Sequence, residues 1–286
     1  MEKRQLALKL SWFSEKVQEV VVMKILVPVK RTASLDDEFE MRDDGRDVDA
    51  DFCEYDINEF DEFSVEEAIK IKEAAAEGTV EVVVLTLGPE DADEVLRKCL
   101  AKGADRGIRV WDDAIEGSDQ VAIARIIAKV VEREQPELVL TGAQSSDHGF
   151  AQTGIALAGL LGWPHSAVVS FLEYTPGATT LNFRRELEGG LEQKASIALP
   201  AVLTIQLGIN RPRYASLRGI RQASSKPVDE LTHADLGLTD DQVGEAGSLS
   251  HIRRMYVPER GRSEMIEGTP AQQASRILQI IREVRG

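Results

Sequence analysis

The chain has 286 residues, a formal net charge of -15 and a pI near 4.8, which argues against nucleic acid or an anionic membrane as its main partner. Its length suits one large domain or one domain with an appendage, and no apolar run approaches the roughly 20 residues that span a bilayer. Two cysteines (Cys53, Cys99) and four scattered histidines (His148, His165, His233, His251) form no metal-ligand or redox spacing, so a reducing compartment is the simplest reading.

Residues 1–22 lack the apolar core of a secretory signal and contain Glu2, Glu15 and Glu19, which fits poorly with a mitochondrial presequence. Leu6, Leu10, Phe13 and Val17 fit one face of a helix. This extension is either a short added helix or an upstream start not used in the cell, and the second is favoured. From Met23 the pattern alternates. Lys24 to Val29 reads as a strand, and Leu35 to Asp61 as an acidic, irregular stretch. Phe63 to Ala76 reads as a helix with Ser64 as N-cap. A buried strand over Val80 to Leu87, a turn at Gly88-Pro89 and a helix from Asp91 to Lys102 ending at Gly103 follow. Ile108 to Trp111 is a short strand, Ser118 to Glu134 a helix capped by Ser118, Leu138 to Thr141 a strand and Gln152 to Leu161 a helix. Strands separated by single helices imply right-handed crossovers and a parallel sheet.

After Gly162 four strands are expected: Ser166 to Tyr174, Thr179 to Arg185, Leu191 to Ile197 and Ala201 to Gln206. Turn signals at Pro176-Gly177, Gly189-Gly190 and Pro200 suggest hairpins that extend or flank the sheet. Ile209 to Pro227 is basic and loop-like, with Arg211, Arg213, Arg218 and Arg221; it reads as a solvated loop, a docking surface or a ligand-facing loop. Val228 to Pro258 reads as polar and extended. Pro270 to Val284 is an amphipathic helix with Thr269 as N-cap and an apolar face of Ile277, Ile280, Ile281 and Val284, suited to a partner subunit or to its own domain.

The segment with most chemistry is LTGAQSSDHGFAQTG, Leu140 to Gly154, a strand, a polar loop and a helix start. Backbone N–H groups of Gln152, Thr153 and Gly154 at a helix N-terminus suit a phosphate, and Gly142 and Gly154 let backbone approach a ligand. The alternative is a polar loop with an ordinary cap. Asn58 and Asp61 either hydrogen-bond a ribose or cap the following helix, capping being the default. No P-loop, GxGxxG or GxSxG pattern is present, and EYDINEFDEF lacks the central Gly of an EF-hand.

Taken in order, VPVKR (Val27 to Arg31), INEFDEFSVEEAIKIKE (Ile57 to Glu73), TLGP (Thr86 to Pro89), KGADRGI (Lys102 to Ile108), the Leu140 to Gly154 loop with LGWP, LPAVLTI (Leu199 to Ile205) and NRPRYASL (Asn210 to Leu217) carry a resemblance. From Met23 onward the chain resembles the β subunit of electron transfer flavoprotein, the group that includes FixA-type proteins. The resemblance implies an α/β fold with an open, mostly parallel sheet of the adenine-nucleotide-binding, Rossmann-like type. It adds antiparallel hairpins and, over residues 228–286, a C-terminal arm whose helix packs on the α subunit. Residues 23–227 would form the nucleotide-binding domain, with a recognition loop at 205–227. The resemblance further implies a heterodimer with the α subunit, flavin adenine dinucleotide (FAD) held mainly by that subunit, and AMP or a second FAD in this chain. The pocket carried over comprises Pro28, Asn58, Glu59, Phe60, Asp61, Leu87, Gly142, Ala143, Gln144, Ser145, Ser146, Asp147, His148, Gly149, Phe150, Ala151, Gln152 and Thr153. His148 stands where many relatives carry an acid, and Ala151 where some carry Asn. Arg213, Tyr214, Leu217 and Arg218 would meet a partner flavin dehydrogenase, with Leu217 as apolar anchor and the arginines steering. A quinone oxidoreductase or another acceptor would take the electrons on, in a prokaryotic cytoplasm, without membrane insertion. The chain would be an electron-carrier subunit rather than an independent enzyme. DDEFE (Asp36 to Glu40) and Asp61 lean toward a second, bifurcating flavin; the intact SDHGFAQTG loop leans toward AMP.

Two rival readings differ in their loops. An ATP-pyrophosphatase-type enzyme needs an SGGxDS-like loop after strand one, which VPVKRTAS lacks. A stand-alone stress-type nucleotide binder predicts a G-x2-G-x9-G-[ST] loop, a homodimer and no basic recognition segment.

Overall fold

Strands β1 (Met23–Pro28) and β4 (Val80–Leu87) are apolar at nearly every position because helices cover both faces of their sheet. Side chains alternate between the two layers: Ile25 and Val27 enter one core cluster and Leu26 the other. The computed structural model describes residues 23–35, 39–175, 177–258, 263 and 265–285. The expectations for residues 1–22, for Asp36 to Glu38 and for Pro176 lie outside these residues.

The remaining elements are β2 (Arg31–Leu35), β3 (Cys53–Ile57), β5 (Arg106–Val110), β6 (Leu138–Gly142), β7 (His165–Glu173), β8 (Thr180–Leu187), β9 (Leu191–Ala198), β10 (Ala201–Ile205) and β11 (Val228–Leu231). The helices are α1 (Glu59–Ala74), α2 (Asp93–Lys102), α3 (Gln120–Glu134), α4 (Thr153–Leu161), α5 (Leu217–Ala223), α6 (Gly244–Gly247) and α7 (Pro270–Arg285). The main sheet has the order β11-β5-β4-β1-β6-β10-β7-β8-β9. From β11 to β7 every pairing is parallel, and β7-β8-β9 is an antiparallel meander. The core under α1 and α2 holds Val65, Ile69, Leu96 and Leu100; α3 and α4 contribute Ile126, Ile127 and Leu157 on the opposite face. The fold is α/β with a mostly parallel sheet and an added hairpin, as the alternation of elements implies.

Several local expectations are corrected. The acidic stretch holds one half of a β-hairpin-like pair: β3 lies within it and β2 just before it, antiparallel, with Arg31 opposite Ile57. Its strands carry charged, outward residues such as Glu54 and Asp56, so no apolar run announces them. α1 begins at Glu59, not Phe63, because Glu59, Asp61 and Glu62 favour the positive end of a helix. Ser64 is therefore inside the helix, with its hydroxyl donating to the Phe60 carbonyl. Asp119 rather than Ser118 caps α3, accepting from the N–H groups of Val121 and Ala122. β10 is no hairpin strand but lies between β6 and β7, parallel to both, as its five buried residues require. The basic segment contains α5, capped by the Ser216 hydroxyl on the Gly219 N–H. Residues after Pro227 are not simply extended: β11 joins the sheet edge, and Leu238 and Val243 plug the core. On α7, Thr269 donates its hydroxyl to the Gln272 side chain, and no residue of the helix is buried.

One carboxylate anchors the return of the chain. Asp119 Oδ1 caps α3, while Oδ2 accepts from the N–H groups of Leu249 and Ser250 and from the Ser250 hydroxyl. Burial alone would raise its pKa, but these donors hold it below the usual range. Asp119→Ala is expected to cost about 2–4 kcal/mol, the sum of a lost cap and lost charged hydrogen bonds, read as a lower urea midpoint. Its depressed pKa means that this contribution is present at neutral pH and fades as the solution is acidified. An unchanged midpoint would remove the anchor.

Candidate functional site

The first strand sits at the centre of the sheet, and the strand order reverses across it: β4 lies on one side and β6 on the other. In open α/β sheets the crevice at such a reversal, outside the carboxyl ends of the strands, is where ligands bind. Pro28, Leu87 and Gly142 all end their strands at this edge.

The edge is organised by the first turn of α1. Asp61, buried, accepts from two backbone N–H groups: Lys30 to Oδ2 at 2.8 Å and Gly142 to Oδ1 at 3.0 Å. Burial pushes its pKa up to about 7, against the lowering effect of these N–H donors and of Asn58. Asn58, also buried, spans the loop after β6: its Nδ2 donates to the Gln144 carbonyl at 2.9 Å and its Oδ1 accepts from the Ser146 N–H at 3.0 Å. It stands at the N-cap position of α1 but makes no side-chain cap bond. The capping expected of Asn58 and Asp61 is thus replaced by bonds across the site. Gly142 is glycine for a steric reason, since a Cβ there would stand 2.7 Å from the Phe60 Cβ and against Asp61.

The loop from Ala143 to Gln152 is held at both ends. Ala143 N–H donates to the Ile205 carbonyl and Gly149 N–H to the Ser145 carbonyl, each at 2.9 Å. Lys30 Nζ lies 2.7 Å from the Asp147 carboxylate and 3.1 Å from His148 Nδ1. Burial works against the Asp147 charge, but Lys30 and Ser145 hold its pKa below the ordinary range. The His148 ring stacks on the exposed Phe150 ring, with centroids 5.7 Å apart.

From Phe150 to Ile155 the backbone N–H groups have no hydrogen-bond partner among the described residues; the helical ladder starts with Ala156 N–H to the Gln152 carbonyl at 2.8 Å. Ala151 adopts φ of 54°, followed by right-handed values at Gln152, an alternation that turns successive N–H groups toward one side. A non-glycine residue in that region is strained by about 1–2 kcal/mol. Beneath the first turn of α4 the buried Thr141 hydroxyl has no partner among the described residues, and a Cβ on Gly154 would stand 2.8 Å from Thr204 Cγ2. The helix start therefore presses directly on β6 and β10. These features suit an anion, which needs several N–H donors and the positive end of a helix.

Not every carried-over residue faces this crevice. Phe60 is buried and supports Gly142 from behind, while Glu59 is exposed. Lys30 and Thr32 belong to the site but escaped the sequence reading: Ser146 Oγ lies 3.4 Å from the Thr32 hydroxyl, and Lys30 carries the two contacts above. The only local signal was a lysine directly after the first strand in VPVKR. In the basic segment Tyr214 and Leu217 are 99% and 80% exposed, and Arg218 is exposed. Arg213 instead is held by Glu66 and Glu73 of α1, which raise its pKa. Among the described residues no helix is long and apolar enough to cross a membrane, and no cluster of candidate metal ligands occurs.

The architecture is that of an α/β protein with an anion-suited loop at its strand-order reversal. The chain belongs to the electron transfer flavoprotein family and matches its subunit beta members. Residues 50–236 match the electron transfer flavoprotein domain. Electron transfer flavoprotein subunit beta of Methylophilus methylotrophus is 59% identical over 264 residues, covering 92% of this chain and 100% of that protein. The same subunit of Bradyrhizobium diazoefficiens is 42% identical over 217 residues (76% and 84% covered), and that of Homo sapiens 37% over 249 (86% and 94%).

Asp61 gives the site a pH signature. Its folded pKa lies above its unfolded value, so its contribution to stability is full in acid and is lost as pH rises through about 7. Asp61→Asn cannot ionise. Urea midpoints taken between about pH 4.5 and about pH 8 should fall less steeply for this variant than for the parent. Parallel curves would mean that the buried carboxyl does not titrate there.

Proposed function

We propose that this chain is the β subunit of a heterodimeric electron transfer flavoprotein, passing electrons from flavin dehydrogenases to a quinone oxidoreductase or similar acceptor in the cytoplasm. The crevice beside β6 is assigned to an adenylate, either AMP or the adenylate half of a second FAD. The row of unpaired N–H groups from Phe150 to Ile155 carries this reading. Flavin, when bound, supplies one- and two-electron redox chemistry; the residues of this chain hold and orient. In this reading the N–H groups of Gln152 and Thr153 and the Thr153 hydroxyl meet the phosphate. Lys30 lies close by and offsets negative charge, though Asp147 already takes part of its field. Asn58 and Asp61 are spent on shaping the loop, so the ribose contact suggested for them is not needed.

The partner surfaces are separate from that crevice. The α7 stripe of Ile277, Leu278 and Ile281 is roughly half exposed and is assigned to the α subunit. Tyr214 and Leu217 are assigned to the dehydrogenase, as a small apolar contact that suits transient electron-transfer encounters.

Two substitutions separate these assignments. Thr153→Val should weaken AMP retention roughly fivefold to tenfold, the worth of one hydrogen bond, by calorimetry on the heterodimer. Leu217→Ala should slow reduction by a flavin dehydrogenase about tenfold at limiting concentration and leave the flavin content unchanged. Flavin-to-heterodimer stoichiometry distinguishes AMP from a second FAD. Equal flavin loss in both variants would contradict the division of labour.

A further inference from the structure

We propose that Arg213 is a positioning residue for dehydrogenase docking: clamped between Glu66 and Glu73, it holds Tyr214 and Leu217 out from the surface rather than steering the partner by its charge. The inference rests on the docking role assigned to Leu217 above.

Arg213 turns its guanidinium inward, onto two carboxylates of α1. Its Nε and Nη2 reach the two Glu66 oxygens at 2.9 Å each, and its backbone N–H reaches Glu66 Oε2 at 3.1 Å. Its Nη1 and Nη2 reach Glu73 at 2.5 and 2.8 Å. Glu66 is only 5% exposed, so this is a fork-to-fork pair in a partly desolvated setting, where geometry is tightly fixed. Three residues earlier, Asn210 Nδ2 donates to the Phe63 carbonyl and to Glu67 Oε2, both at 2.9 Å. Just beyond, the Ser216 hydroxyl caps α5, and Gly219 lies against the Ala101 carbonyl at the end of α2. Tyr214 and Leu217 therefore stand between bolts on α1 and on α2.

Such large apolar side chains ordinarily fold back onto their own surface. Fixing the backbone on both sides keeps them out and reduces the ordering cost of an encounter. The charge of Arg213 faces two carboxylates and adds no net positive field. Steering falls to Arg211, Arg218 and Arg221, which have no carboxylate partner among the described residues.

The test uses the flavin-loaded heterodimer and a flavin dehydrogenase, with KM followed over a range of ionic strength. Arg213→Lys, which keeps the charge but loses the planar fork, should raise KM about threefold to tenfold without changing the salt slope, whereas Arg218→Gln should flatten that slope. Combining Arg213→Lys with Leu217→Ala should be little worse than Leu217→Ala alone, because a misplaced anchor and a missing one fail together. Glu73→Gln leaves the buried Glu66 pair intact and decides the matter if Arg213→Lys does not assemble. It should also raise KM, although removing a negative charge beside the loop would help an acidic partner if steering were the point. An unmoved KM in Arg213→Lys, full additivity with Leu217→Ala, or an unmoved KM in Glu73→Gln would overturn the proposal. A Leu217→Ala heterodimer with normal kinetics would instead overturn the docking assignment beneath it.

Discussion

A single buried carboxyl fastens the centre of this fold. Asp61 accepts from the backbone N–H groups of Lys30 and Gly142, and so ties the chain just past β1 and the end of β6 to the first turn of α1. These are the two strands between which the sheet reverses its order. Leaving a carboxyl inside the protein is costly, and backbone N–H groups compensate for part of that cost. The upward shift of its pKa is the balance that remains. Gly142 follows from the same packing, because Asp61 and Phe60 occupy the space a side chain would need. Everything downstream in the loop takes its direction from this point, with Asn58 fixing the next four residues through Gln144 and Ser146.

α1 then acts as a beam shared by two surfaces. Its first turn builds the crevice; its later turns carry Glu66, Glu67 and Glu73, which hold the Asn210 to Arg213 segment. Glu66 and Glu73 stand seven residues apart, two helical turns, and so project from one face toward one guanidinium. Buried acids on a helix that covers a sheet look misplaced if the helix is viewed as core alone. They are accounted for once the basic segment is laid over them.

The parallel core was legible because β1, β4 and β6 are short apolar runs bounded by turn residues, and the crossover rule leaves few ways to connect them. The loop after β6 stood out in the sequence through its glycines and its place between a strand and a helix. What stayed hidden depends on distance in the chain. Asp61 meets partners 31 and 81 residues away, both backbone groups, which no side-chain pattern encodes. Arg213 finds Glu66 across 147 residues, so in sequence it looked like one more free cation. β2 and β3 were missed because their outward residues are charged, and β10 was misplaced because an apolar strand looks the same in a hairpin as at the centre of a sheet. The positive φ of Ala151 left no mark either, since alanine is not the residue one expects there.

The exposed apolar surface at the end of the chain follows a different logic from the core. α7 runs from Pro270 to Arg285 with no buried residue, although Ile277, Leu278 and Ile281 lie along it. A helix of that length that buries none of its residues is marginal in water, because propagation barely offsets nucleation. The root of the arm, by contrast, is firmly held through Asp119 and through Leu238 and Val243 in the core. A fixed root and an uncovered apolar helix suit an element whose stability comes from another chain, by mass action rather than by its own domain. The proposed α subunit would supply that cover, and the apolar stripe on α7 would then be an interface kept outside the fold.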